Sequence, residues 1–168
     1  VVDTVNDDGA GVWNLAGNGS IVCAASLPIE IDSAQQGDLN VDVVSVKSVN
    51  ALRFFNGQGI LVVGARTLDG NSQDWRYISV RSTMIYLEQS MKLAARAYVF
   101  APNDANTWNA VKSIISSFLN SVWKQGGLQG ATAADAYQVE VGLGSTMTAE
   151  DILNGVMNVT VKVAVVHP

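Results

Sequence analysis

Met157-Asn158-Val159-Thr160-Val161-Lys162-Val163-Ala164-Val165 is the clearest strand in the chain, with apolar residues at every odd position. A period of two puts the valines on one face of a sheet and Asn158, Thr160 and Lys162 on the other. The run is longer than an average strand, and Lys162 is its only charge. Left at an edge, such a strand invites pairing with another chain, so it is expected to be covered or paired. The plainer reading is an internal strand of the domain's own sheet.

Upstream of it the pattern alternates between strand and helix. Thr148 followed by Asp151 resembles a capping box with Asp in place of the usual Glu or Gln, and Gly155 closes that short helix. Thr132 and Asp135 suggest a capped turn before a strand over 137–141. A long helix is predicted over 104–125, capped by Asn103 or Asp104 and ended by Gly126-Gly127. Its buried stripe is Trp108, Val111, Ile115, Phe118 and Val122. A second helix over 79–97 carries Val80, Met84, Leu87, Met91, Ala94 and Tyr98 on one face. Tyr98-Val99-Phe100 reads as a short strand halted by Pro102. Ile60-Leu61-Val62-Val63, bounded by glycines, reads as a buried central strand. Together these predict an α/β layered domain over 59–168, a mixed β-sheet flanked by two long helices.

Residues 1–58 are less regular and read as an irregular lead-in packed on the main domain. Turn dipeptides (Asp8-Gly9, Asn18-Gly19, Asn56-Gly57) separate short β-like runs at Ile21-Val22, Ile29–Ile31 and Val41–Val46. Asp32–Gln36 suggests one helical turn, and Val49–Arg53 leads toward the main domain. The absence of Met at Val1 and the apolar strand just before Pro168 suggest a longer parent chain.

Composition narrows the function classes. The 168 residues suit one domain of ordinary size with a sizeable core. Hydrophobic residues make up 48% and charged residues only 15%, so part of the surface is expected to be buried against neighbours. The net charge of −5 and the lack of a Lys/Arg cluster argue against nucleic-acid binding. No apolar run approaches the roughly 20 residues of a membrane helix, so no membrane insertion is expected. The single cysteine, Cys23, rules out an internal disulfide framework and reads as a small buried apolar residue.

Catalytic parts are missing from the sequence. The one histidine, His167, lies beside the last residue, leaving little from which to build a nucleophilic triad. Asn6-Asp7-Asp8-Gly9 lacks the closing Glu of a calcium loop and reads as a solvated acidic turn. Gly142-Leu143-Gly144-Ser145-Thr146 lacks the lysine of a phosphate loop and reads as a strand-to-helix turn. Glu88, Asp104, Asp135, Glu140, Glu150 and Asp151 are scattered, with no spacing that pairs two of them. Asn158-Val159-Thr160 matches a glycosylation sequon but lies mid-strand. Trp75, Trp108 and Trp123 are assigned to the core. No catalytic residue, metal or cofactor is expected.

Several blocks resemble one family. Gly64-Ala65-Arg66-Thr67-Leu68-Asp69-Gly70-Asn71-Ser72 followed by Asp74-Trp75-Arg76-Tyr77-Ile78-Ser79-Val80-Arg81 is similar to a signature of contractile tail sheath proteins. Phe100–Trp108, Phe118–Ala131 and Thr146–Gly155 resemble the same family, in its order and approximate spacing. The likeness covers most of 39–167 and is closer to phage-type and extracellular contractile particles than to type VI secretion. It implies a structural subunit that stacks as six-membered rings around an inner tube and contracts to drive the tube through an envelope. It also implies partners: other copies linked by strand-adding terminal arms, the inner tube protein, and baseplate and terminator proteins. The setting is a phage virion tail or contractile particle assembled in the bacterial cytoplasm.

On this resemblance, candidate inter-subunit contacts are Arg66, Asp69, Trp75, Arg76, Val159, Val161 and Val163. Candidate tube-facing residues are Lys112, Asn120 and Lys124. Arg66 or Arg76 is expected to pair with Asp69 or Asp74. Where the family carries paired arginines this chain has Arg81-Ser82. The competing readings are a monomeric binding or baseplate accessory module, which predicts a concave pocket with convergent polar groups, and an enzyme using carboxylates.

Overall fold

A computed structural model describes residues 11–14, 21, 24–42, 44–45 and 47–168. The readings of Cys23, Asn6–Gly9 and Asn18-Gly19 lie outside the described residues, as do Val22 of the Ile21-Val22 run and Val43 and Val46 of the run over 41–46. The chain divides into two compact units, Val1–Thr83 with His167–Pro168, and Met84–Val166. The boundary expected near residue 58 falls in the turn of a hairpin inside the first unit.

In the first unit, α1 (Ser33–Asn40) is eight residues long, more than the single turn predicted. Asp32 caps it by accepting from Gln35 N–H at 2.8 Å, and Gln35 Oε1 accepts in return from Asp32 N–H. β1 (Ala51–Phe55) and β2 (Gly59–Val63) form an antiparallel hairpin, pairing Ala51 with Val63 and Phe55 with Gly59. Ile29–Ile31 forms no strand. Arg53 donates to Gln36 and Ser33, fastening β1 to α1. Ala51, Ile60, Leu61, Ala65 and Val80 are buried here.

The central strand predicted at Ile60–Val63 is instead one arm of this hairpin. An apolar run of that length signals burial without specifying how many neighbours the strand has. The predicted mixed sheet is likewise corrected. The described strands form two separate two-stranded antiparallel sheets, β1–β2 and β3–β4, and the class remains α/β.

In α2 (Ile78–Ala95) Val80 and Leu87 of the predicted stripe are buried and Met84, Met91 and Ala94 half-buried, while Thr83, outside that stripe, is also buried. The unit boundary falls within it, after Thr83. The strand expected at Tyr98–Phe100 is not formed: Arg96–Tyr98 is a 3₁₀ turn, and Phe100 is fully exposed. Val99 N–H reaches back to Arg96 O, and Ala101 N–H to Tyr98 O, so the backbone continues to turn up to Pro102.

The second unit is built around α3 (Ala105–Lys124), capped by Asp104 accepting from Thr107 N–H at 2.8 Å. Its end is a Schellman motif: Gly126 N–H bonds Trp123 O and Gly127 N–H bonds Val122 O, with Gly126 at φ +85°. Val111, Ile115, Leu119 and Val122 are buried. Leu119 lies deeper than the predicted Phe118, which is half-buried and meets the Tyr86 ring at 6.0 Å. α4 (Ala133–Ala136) leads into β3 (Tyr137–Val141), and α5 (Ala149–Leu153) precedes β4 (Val159–Val163). The Thr148–Asp151 box forms as read: Asp151 accepts from Thr148 N–H at 2.8 Å.

No described helix is long and apolar enough to cross a membrane.

Candidate functional site

Two surfaces bear the predicted residues, one in each unit. The first is the loop from Arg66 to Tyr77. Arg66 and Tyr77 form an isolated antiparallel bridge. Thr67 N–H donates to Arg76 O at 2.7 Å, and Ile78 N–H donates to Ala65 O at 2.9 Å. Inside the loop, Thr67 Oγ1 donates to Trp75 O at 2.9 Å and Trp75 N–H donates to Ser72 Oγ at 3.0 Å. At its base the Asn50 amide brackets Arg66, donating to its carbonyl at 2.8 Å and accepting from its N–H at 3.0 Å. Gly64 (φ +111°) makes room, since a Cβ there would stand 2.6 Å from Asn50 Oδ1.

The expected ion pairs of this loop do not form. Asp69 uses its carboxylate to accept from Ser72 N–H at 3.2 Å. Arg66 lies over Tyr77 at 6.0 Å and reaches Asn40 O at 3.4 Å. Arg76 lies over the same ring at 5.2 Å, with its Nε buried and unpartnered. Arg81 lies over Trp75 at 5.3 Å. Trp75, assigned to the core from sequence, is instead 39% exposed, while Trp108 and Trp123 are half-buried. The stapling turns the arginines toward aromatic faces, a preference that residue spacing does not encode.

The second surface is the β3–β4 sheet. Its register pairs Tyr137 with Val163, Val139 with Val161 and Val141 with Val159. Val139 is buried on the strand that packs against α3, and Val159, Val161 and Val163 are half-buried opposite it. The other face is polar: Gln138 Nε2 donates to Glu140 Oε1 at 2.6 Å, and Lys162 stands 4.0 Å from Glu140.

Hydrogen bonding alternates along β4. Ala164 N–H donates to Ala136 O at 2.9 Å, which fixes 162 with 138 and 160 with 140 as the hydrogen-bonded pairs. The N–H and C=O groups of Val159, Val161 and Val163 therefore point to the outer edge, as do those of Val139 and Val141 on β3. Among the described residues none of these outward groups has a partner. Among the described residues the sheet is open on both sides.

The strand is also shorter than predicted. At one end Thr146 Oγ1 enters the ladder, accepting from Gly142 N–H at 3.1 Å and donating to Asn158 O at 2.7 Å. At the other end Ala164 O accepts from Gln129 N–H at 2.7 Å, and Val165 bridges Leu128. In the Gly142–Met147 turn the amides of Ser145, Thr146 and Met147 all donate to Gly142 O. They are engaged within the turn, with none aimed at an anion.

On α3, Lys112 and Lys124 are exposed and Asn120 is half-buried. An open groove of about 680 Å³ in the first unit is lined by Ile29, Ile31, Leu39, Val41 and Val49, with Asp38 and Asp42 at its rim. The Asp42 carboxylate is already engaged by Val44 N–H and by Ser45, which hold it below its ordinary pKa.

Residues 71–168 match the family model of the phage tail sheath C-terminal domain. The chain is also similar to chains in solved contractile assemblies. In the six-fold symmetrised baseplate of the anti-feeding prophage, the match has 36% identity and TM-score 0.92, covering 99% of this chain and 45% of that one. In the contracted sheath of the PVC extracellular contractile injection system, the values are 37%, 0.88, 96% and 44%. In the contracted helical sheath of the anti-feeding prophage they are 35%, 0.88, 99% and 45%. The chain spans less than half the length of each of these chains. No curated protein matches it.

Proposed function

The chain belongs to the phage tail sheath C-terminal domain family, and on that premise we propose that it is part of the structural subunit of a contractile sheath. Copies stack as six-membered rings around an inner tube, assemble extended, and shorten by rearrangement that drives the tube through a target envelope. The role is structural, with no catalytic step. Its partners are other copies, the inner tube protein, and baseplate and terminator proteins. The particle is a phage tail or an extracellular contractile system, assembled in the bacterial cytoplasm.

The observation that carries this reading is the sheet with two open edges. Backbone groups of Val159, Val161 and Val163 on one side, and of Val139 and Val141 on the other, can each accept an added strand. Their side chains lie on the face toward α3, so contact with a neighbour runs through the backbone. A main-chain ladder tolerates changes in neighbouring side chains and can hold while subunits rotate as rigid bodies about the arm. Lys112, Asn120 and Lys124 form the tube-facing set, with the two exposed lysines supplying positive charge.

Negative-stain electron microscopy of the full-length protein tests the reading. Hollow, cross-striated cylinders with six-fold symmetry are expected. Discrete monomers at every concentration, with the tube protein present, would contradict it and favour a monomeric binding module.

A further inference from the structure

Three arginines gather just before and within the first turn of α2, and among the described residues none of them is ion-paired, although Asp69 and Asp74 lie in the same loop. Arg66 and Arg76 share the Tyr77 ring, which places their guanidinium carbons within about 11 Å of each other. Arg81 lies over Trp75 in the same segment. Among the described residues the one ion pair is Lys162–Glu140, far along the sequence. The first turn of α2 contains no acidic residue either.

The arrangement is held in place before any ligand arrives. Two backbone bonds close the loop and two side-chain bonds fix Trp75 within it, so little freedom remains to be lost on docking. A guanidinium resting on an aromatic face keeps its N–H edge available for a bidentate acceptor. Arg76 is half-buried with its Nε unpartnered, so its charge is already partly desolvated. An incoming carboxylate would supply the counter-charge that these arginines lack.

We propose that Arg66, Arg76 and Arg81 form a docking site for a carboxylate-bearing segment of a second copy of this chain. The inference rests on the sheath reading, which supplies the neighbouring copy, and adds the chemistry of the contact. The charge balance of the chain supports that choice of occupant. Acidic side chains outnumber basic ones by 15 to 10, and among the described carboxylates only Glu140 is ion-paired. Each copy thus offers arginines and carboxylates that are not ion-paired within it. A contact between two different surfaces is heterologous, and repetition of it produces rings or helical polymers.

The test uses the full-length protein. In the Arg76→Lys variant a zero-length carbodiimide can join the new amine to an adjacent carboxylate. Polymers grown from mixed ¹⁴N and ¹⁵N copies are cross-linked, digested and read by mass spectrometry. The expected product links position 76 to an Asp or Glu of a different copy, in polymer and not in disassembled protein. The Arg66→Ala/Arg76→Ala variant is expected to raise the concentration needed for polymerisation by about tenfold and to flatten its salt dependence.

Cross-links confined to one copy, or running to the tube protein, would overturn the proposal. Unchanged assembly and salt dependence in the double variant would do the same while leaving the sheath reading intact. If the double variant fails to fold, the lysine cross-link decides alone. Failure of the unaltered protein to polymerise would overturn the sheath reading, and this inference with it.

Discussion

Thr146 Oγ1 donates to the carbonyl of Asn158 at 2.7 Å, and the same oxygen accepts from Gly142 N–H. The hydroxyl thus stands where the next rung of the β3–β4 ladder would be, and it ends the strand at Val159. Thr146→Val keeps the shape but removes the partner of the half-buried Gly142 N–H and of the exposed Asn158 carbonyl. The expected loss is about 0.5–1.5 kcal/mol in urea unfolding, with Thr146→Ser closer to wild type.

The core of the second unit is centred on α3, where Leu119 is fully buried. Leu119→Ala removes three carbons from a site with no solvent contact and is expected to lower stability by about 2–5 kcal/mol. Ile114→Ala, on a residue 41% exposed, should change it by less than about 1 kcal/mol. Equal effects from the two substitutions would mean that α3 is not packed by this face.

Acid should weaken the helix caps. Thr107 N–H holds the Asp104 carboxyl below its ordinary value of 3.8, and Thr148 N–H does the same for Asp151. A carboxyl whose pKa is lowered by folding contributes stability above its unfolded value and loses it as pH falls through the folded one. Wild-type Tm should therefore fall as pH drops below about 4, and the fall should be shallower in Asp104→Asn, which still caps. At pH 7, Asp104→Ala should lower Tm by about 2–4 °C. Identical pH profiles for wild type and Asp104→Asn would contradict the assignment.

Two glycines are predicted to respond oppositely. Gly37 lies inside α1 with open space around its missing side chain, so Gly37→Ala should add about 0.5–1 kcal/mol. Gly130 has φ +146°, and a Cβ there would stand 2.8 Å from Ala136 N, against backbone that cannot move aside cheaply. Gly130→Ala should therefore cost more than about 1 kcal/mol and disturb the Trp123 Nε1 bond to Gly130 O, a change that tryptophan fluorescence can follow.

What the sequence makes legible here is local. Asp104 and Gly126-Gly127 mark the ends of α3 because capping uses bonds only a few residues away. The Thr132–Asp135 and Thr148–Asp151 boxes are readable for the same reason. The burial of Leu119 rather than Phe118 is not, since two adjacent helical positions are ranked by what packs against them. Nor does an alternating run reveal where its ladder stops, because Thr146 closes it from twelve residues away. In the arginine loop the residue types were readable but their partners were not. Asp69 turned to its own backbone neighbour and Tyr77 took both arginines, outcomes set by the loop's folded path.

The most direct test of the central claim is residue-resolved amide exchange along β4, comparing the unassembled full-length protein with its polymer. Unassembled, the N–H groups of Thr160, Lys162 and Ala164 face β3 and should exchange slowly, while those of Val159, Val161 and Val163 face the open edge and should exchange fast. The account predicts that the three valine amides become protected in the polymer as a neighbour's strand is added. Valine amides that exchange equally fast in both states would contradict it.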